Sequence, residues 1–457
     1  MGVFLPNGAK VALHKDPFGS GAEGLVYRLV DTPHLCAKIY LERTDPRRKS
    51  RLAALRRATR ASWPEGDAPD HMHAAWPREV LLDDSGEVVG VLMPMVESTA
   101  MINLFDPGER IELLDEPTWR TLISVANRTA RLFAMLHEAG IVIGDISPSN
   151  IFVSSAGHVT LIDCDAVQFI DPRRGTLFLS TNVTREYTPP EATNGTELQP
   201  SHDNFGLAVL ICQLLMEGDH PFEGVLVGPD SPEFVAEDNI RHQNNRILFP
   251  ERFITLPGAV PASVLPPDVR ALAVQCFGDG HRTPSARPTA QAWADALHRA
   301  GYGVMGCRVN PRHAYHYSST ECVWCKLNRE GFGERYPAPK EVEPDATSTA
   351  SGTTQPPWST TEPTPPTETE PTEPKVTTAA QVTAPTANTT APWNTRVTNP
   401  NPRRAAGSRA STTGPTVPPP ISRKPPPPSP APMGTAAKVT LVFIAFAMLV
   451  LLIMSLR

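Results

Sequence analysis

Ile141–Phe169 reads IVIGDISPSNIFVSSAGHVTLIDCDAVQF, and this stretch decides the fold. Asp145 is followed five positions on by Asn150, and Asp163 comes thirteen positions after that. Each group sits beside a short apolar run, IFV after Asn150 and VTLI before Asp163. Two carboxylates and an amide at these spacings suit phosphoryl transfer. One carboxylate orients an attacking hydroxyl, while the amide oxygen and the second carboxylate hold Mg²⁺ against the phosphates.

Upstream, PFGSGAEGLVYRL places Gly19, Gly21, Gly24 and Val26. Alone, Gly-x-Gly-x-x-Gly is a weak signal, and a dinucleotide-binding turn competes with it. Alternating apolar residues on both sides predict a hairpin instead, with glycines that let backbone N–H groups approach phosphates. Twelve residues after Val26, LCAKIYL carries Lys38 on a short strand, placed to hold the α- and β-phosphates. Such a lysine normally pairs with a glutamate on the next helix. Here that helix is RRKSRLAALRRATR, with no acid between Asp45 and Glu65, and Glu42 lies too close to Lys38. Either Glu65 or Glu79 reaches Lys38, or the ion pair is absent. The basic helix reads as a solvated face, with contact to anionic lipid as the other use. WPREVLLDDSGEVVGVLMPMVES then reads as two strands and a connector, Met93–Val96, with Met95 assigned to adenine.

Downstream, Thr118–Ala139 has helical periodicity and runs up to Gly140, a C-cap signal. REYTPPE supplies Tyr187, Pro190 and Glu191, Asp203 opens an apolar helix, and ARPTAQAW supplies Arg287. Glu191 and Arg287 are expected to form a structural ion pair.

Together these motifs resemble a eukaryotic-like bacterial Ser/Thr protein kinase across roughly residues 10–300. More narrowly, Gly144–Asp145, Asp163–Cys164–Asp165 and His202–Asp203–Asn204–Phe205 are similar to the bacterial family described as having protein kinase and helix-hairpin-helix DNA-binding domains. No helix-hairpin-helix is seen in this chain. The resemblance implies an α+β, two-lobe kinase fold over residues 8–300. Asp145 would be the catalytic base, and Gly19, Gly21, Gly24, Val26, Lys38 and Met95 would hold ATP. Asn150 and Asp163 would hold Mg²⁺ or Mn²⁺, and the acceptors would be Ser/Thr hydroxyls of proteins. It further implies a metal-dependent protein phosphatase as partner. Four letters depart from ordinary kinases, among them Cys164 in place of the phenylalanine after the metal-binding Asp. Gly144 replaces the arginine that answers an activation-segment phosphate, Ser147 replaces a lysine, and Asp165 replaces a glycine and is expected to add a carboxylate near the metals. A pseudokinase scaffold that binds nucleotide and partners is the alternative.

The same family carries a Cys/His knuckle, matched here by CRVNPRHAYHYSSTECVWC within residues 301–336. Cys307, Cys322 and Cys325 with one histidine make the four-ligand set of a structural Zn²⁺. The resemblance points to His313, with His316 as the alternative.

The chain has 457 residues, of which 50 are proline, about twice the ordinary share of roughly 5%. Most of the excess lies in residues 337–436, a Pro/Thr/Ser-rich stretch that reads as a disordered linker. Residues 437–456 contain an apolar run, Val439–Met454, broken only by Thr440 and long enough for a single transmembrane helix. Basic residues precede it (Arg403, Arg404, Arg409, Arg423, Lys424, Lys438), and only Arg457 follows. That bias puts the N-terminal part in the cytoplasm, and MGVFLPNGAK lacks a signal-peptide core. The expectation is a single-pass, tail-anchored protein of the cell membrane. Among seven cysteines, Cys36, Cys164, Cys212 and Cys276 sit singly in apolar contexts and read as buried thiols. A net charge of −6 leaves no overall nucleic-acid footprint, so no nucleic-acid partner is expected.

Overall fold

A computed structural model describes residues 2–337, apart from 43, 59–67, 69–70, 193–194 and 228–234. The linker and transmembrane helix assigned above lie outside the described residues, as does Glu65. Among the described residues, no helix is long and apolar enough to cross a membrane.

The alternating runs near the start become a five-stranded antiparallel sheet. Its strands are β1 (Gly19–Ser20), β2 (Gly24–Arg28), β3 (Leu35–Tyr40), β4 (Glu79–Leu82) and β5 (Val88–Pro94), in the order β1-β2-β3-β5-β4. Lys38 lies mid-strand in β3, opposite Val26 on one side and Val91 on the other. The neighbouring residue on β5 is Gly90, where an added Cβ would fall against the Lys38 carbonyl oxygen, so glycine lets the strands close at this register. Helix α1 (Pro46–Arg57) leaves the end of β3; Asp45 caps it, accepting from Arg48 N at 2.6 Å, and Pro46 stands in its first turn. Ahead of the glycine loop, Phe4 and Leu82 exchange two backbone hydrogen bonds of 2.8 Å, and Val3 is buried.

The large lobe is mainly helical, with α2 (Pro107–Leu113), α3 (Trp119–Glu138), α4 (Pro200–Leu215), α5 (Ala236–Arg241), α6 (Pro267–Phe277), α7 (Asp279–Arg282) and α8 (Ala290–Tyr302). Apolar residues surround α4 on all sides, so it is buried almost throughout and forms the lobe's axis. Helix α3 buries one stripe against α4 and α8, and its chain turns out at Gly140, φ 72°. A small sheet, β6 (Thr99–Ala100), β7 (Ile151–Val153) and β8 (Val159–Leu161), underlies the cleft. Asn150 immediately precedes β7, and Asp163 follows β8 by two residues, which is how the quoted stretch brings them together. Two short pairs complete the lobe, β9 (Phe169–Ile170) with β10 (Leu177–Phe178) and β11 (Val225–Leu226) with β12 (Phe253–Ile254). Cys36, Cys164, Cys212 and Cys276 are buried thiols outside any disulfide.

After α8 the chain makes a hairpin, β13 (Val304–Gly306) with β14 (Ala314–His316), then α9 (Val323–Arg329). Trp324 is fully buried, with ring centroids 6.3 Å from Trp119 and 5.2 Å from Tyr336. Arg110 lies 4.6 Å from the Tyr336 ring and forms a buried 2.9 Å ion pair with Glu217, at the end of α4. The knuckle thus extends the large-lobe core and belongs to the same compact unit.

Candidate active site

A cleft of about 790 Å³ lies between the sheet and the large lobe, lined among others by Gly21, Lys38, Asp145, Ser147, Asn150 and Asp163. The catalytic-loop backbone is fixed from below: Asp203 accepts from Ile143 N at 2.7 Å and Gly144 N at 2.9 Å, and it meets His137 Nε2 at 2.9 Å. Gly144 adopts φ 75°, where an L side chain is strained, and a Cβ there would strike Ser180. An arginine therefore does not fit this backbone. On the loop itself, Thr184 Oγ1 donates to Asp145 Oδ1 at 2.7 Å, and Asn150 Nδ2 donates to Asp145 O at 3.1 Å. Asp145 is held through one carboxylate oxygen, which leaves Oδ2 for an incoming hydroxyl.

Lys38 is buried. Its Nζ donates to Asp163, lies 3.1 and 3.2 Å from the two oxygens of Asp165, and is 3.7 Å from Glu23. Tyr40, two residues along β3 and so on the same face, donates its hydroxyl to Asp165 Oδ2 at 2.7 Å. Burial pulls the Lys38 ammonium down, but the charges of Asp165 and Asp163 overcome it and hold its pKa above the ordinary value. For Asp165, burial is likewise overturned, by Lys38 and the Tyr40 hydroxyl, and its carboxyl sits below the usual range. Asp163 takes the strain of the pair: burial and repulsion from Asp165 outweigh Lys38 and push it up to about 6. A divalent cation held there would supply the positive charge that this crowding lacks. The donors fit one, since Asp163 offers a carboxylate and Asn150, with its NH₂ committed to Asp145, offers its amide oxygen.

Several expectations need correction. Glu79 does not reach Lys38; it pairs with Arg56 at 2.9 Å. Helix α1 is not simply a solvated basic face. Arg51 is buried and donates to Asp165 O and Leu179 O, each at 2.7 Å, and to Val167 O. Arg48 meets Glu23 at 3.2 Å, and Arg57 meets Asp171 at 2.8 Å. Asp165 does sit beside Asp163, and its two oxygens also face Lys38 and Tyr40, a contact the sequence did not show. The Met95 N–H is committed to His34 O at 2.9 Å, so Met95 can offer adenine only its carbonyl and side chain, and Val96 lines the cleft beside it. Glu191 and Arg287 form the expected pair, bidentate at 2.6 and 2.9 Å. The residues missed by sequence reasoning are Glu23, Tyr40, Arg51 and Asn182. Only Tyr40 carried a signal, its two-residue offset from Lys38.

Residues 84–296 match the family model of the protein kinase domain. The chain carries a protein kinase domain. It is 33% identical over 344 residues to protein kinase YegI of Escherichia coli K12, an alignment covering 72% of this chain and 50% of YegI. It is 24% identical over 146 residues to the Ser/Thr-protein kinase PknA of Mycobacterium tuberculosis, covering 32% of each. A solved structure described as ROP18 kinase domain in complex with AMP-PNP and sucrose aligns at 18% identity and TM-score 0.45, over 66% of this chain and 85% of that one. The chain spans about half the length of the YegI proteins it matches. These relatives make it a divergent bacterial kinase of the eukaryotic-like type. The family match begins after β4, so the glycine loop, Lys38 and α1 lie outside it.

Away from the cleft, the ligand atoms of Cys307, His313, Cys322 and Cys325 all lie within 4.8 Å of one another. His313 Nδ1 faces the Cys325 sulfur at 3.3 Å, and its Nε2 meets Glu334 Oε1 at 2.5 Å. A carboxylate behind a ligating imidazole is the arrangement that orients metal-binding histidines. His316 turns instead to Ser318 Oγ at 2.7 Å and stays outside the cluster. Three thiols and an imidazole fit a closed, tetrahedral zinc site.

Proposed function

We propose that this kinase transfers the γ-phosphoryl group of ATP to Ser/Thr hydroxyls of proteins, with Mg²⁺ or Mn²⁺ as cofactor. The observation that carries this reading is Asp145, held through Oδ1 by Thr184 in a cleft that also presents Lys38, Asn150 and Asp163. Asp145 Oδ2 would accept the hydroxyl proton as the hydroxyl oxygen bonds the γ-phosphorus and the bond to the β–γ bridging oxygen breaks to release ADP, and Lys38 would hold the phosphates. The metal ion, held by Asn150 and Asp163, would neutralise phosphate charge. Ser147, standing where Ser/Thr kinases usually carry a lysine, favours the second reading, a pseudokinase scaffold that binds nucleotide and partner proteins.

Autophosphorylation of the full chain in detergent with labelled ATP and Mg²⁺ or Mn²⁺, beside an Asp163→Ala control, separates the two. Label above the control supports transfer. Thermal stabilisation by ATP without label leaves the scaffold.

The knuckle is proposed to hold one structural zinc. Metal analysis should find one zinc per chain, lost in a Cys322→Ser/Cys325→Ser variant, and metal-free unaltered protein would overturn the assignment. Residues 437–456 are proposed as a tail anchor in the cell membrane with the kinase in the cytoplasm, supported by the apolar run and the basic residues before it. A C-terminal tag reachable from outside intact cells, with an N-terminal tag that is not, is the expected result. A metal-dependent phosphatase is proposed as partner, and co-purification tests it.

A further inference from the structure

Lys38 needs a fixed anion to point its ammonium at the phosphates, and α1 contains none. We propose that Asp165, the third residue of Asp163–Cys164–Asp165, is the positioning carboxylate of Lys38. This inference deepens the kinase reading and rests on it for its role in transfer.

The other acids within reach are committed elsewhere. Glu79 serves Arg56 at 2.9 Å. Glu23 is 3.7 Å from Lys38 and is shared with Arg48 at 3.2 Å and Asn182 at 3.0 Å. Asp163 is the metal carboxylate. Asp165 alone gives both oxygens to Lys38, and it is 6% exposed, out of reach of competing water. Its second oxygen is also gripped by Tyr40, so one face of β3 supplies both the ammonium and the hydroxyl that hold this carboxylate. Arg51 completes the substitution. It occupies the part of α1 that faces the segment and reads three backbone carbonyls there, Asp165 O among them. The helix thereby holds the backbone that presents Asp165, in place of presenting an acid itself. In ordinary kinases helix movement breaks the lysine ion pair. In this chain the pair lies between β3 and the metal-binding segment, and α1 supports it from outside, through Arg51 on the segment backbone and Arg48 against Glu23 and the Tyr40 ring.

The test is a double-mutant cycle on MgATP binding by the full chain in detergent, with Asp165→Asn and Lys38→Met made singly and together. Asp165→Asn should weaken the Kd about tenfold, equivalent to about 1.4 kcal/mol, and by less than about twofold once Lys38 is already methionine. Tyr40→Phe, a milder change that keeps the charge, should weaken binding about threefold in the Lys38 background and hardly at all without it. Equal factors in both backgrounds, or no effect of either variant, would overturn the proposal. Because binding is the readout, absence of label transfer by the unaltered chain would remove the transferase reading and leave this coupling standing.

Discussion

Gly144 stands where an ordinary kinase carries arginine, and the backbone gives a measurable reason. At φ 75° a side chain costs about 1–2 kcal/mol in backbone strain. A Cβ would also lie 2.6 Å from Ser180 Cβ and 3.1 Å from Leu198 Cδ1 and would press on Ser180 Oγ. Relieving that overlap moves Ser180 off its 2.9 Å hydrogen bond to Asn182 O, adding about 1–3 kcal/mol for overpacking and the lost bond. Gly144→Ala should therefore destabilise the kinase by about 3 kcal/mol in total, near the middle of the summed range. At about 2 °C per kcal/mol for a domain of this size, the thermal midpoint should drop by about 6 °C. Differential scanning calorimetry or tryptophan fluorescence on the unaltered chain, Gly144→Ala, Ser180→Gly and the double variant measures it. The double variant should recover the steric share and retain only the backbone cost. A Gly144→Ala midpoint within about 1 °C of the unaltered chain would refute the reasoning, as would a double variant no better than the single.

Three further outcomes follow from particular contacts. Arg51→Met strips three carbonyls of their donor and should lower stability by about 3–5 kcal/mol, with MgATP affinity falling too; an unchanged midpoint would show that the helix is held by packing alone. His220 is buried and neutral, its Nδ1 accepting from Phe222 N and its Nε2 facing Glu186 O, and burial lowers its pKa to about 4. The unfolded chain takes up that proton first, so this contribution is complete above about pH 6.5 and declines toward pH 4, by about 1.4 kcal/mol per pH unit. Urea unfolding of His220→Gln should show a shallower decline in that window, and matched slopes would contradict the assignment. Glu334→Gln should weaken zinc retention about 10–100-fold against a chelator, whereas His316→Ala should leave it unchanged.

Much of the site could be read in the chain because its parts are local. Asp145, Asn150 and Asp163 lie on one loop-strand-turn unit, and the periodicity of α3 is an amphipathic stripe written within one helix. The Glu191–Arg287 pair was legible because both residues sit in recognisable short motifs. The Lys38–Asp165 pair was not, since its partners are 127 residues apart and either could have met another charge. Arg51 was invisible for a different reason. It binds backbone carbonyls, which every residue possesses, so no partner side chain marks the contact. The basic composition of α1 pointed to solvent or lipid, while its inward-facing residue decided its role. Met95 lines the cleft as expected, but that its N–H goes to His34 O was not legible, because the fate of one backbone N–H depends on where His34 lies, which periodicity does not encode.

Tyr336, one residue before the described chain ends at Pro337, is buried beside Trp324 and Arg110, and Arg335 reaches Glu217 at 3.5 Å. The described chain therefore ends in a buried aromatic cluster packed at the foot of α4. None of the cluster residues lines the nucleotide cleft. The last described residues are thus fixed in the large-lobe core, at a distance in the fold from the residues that line the cleft.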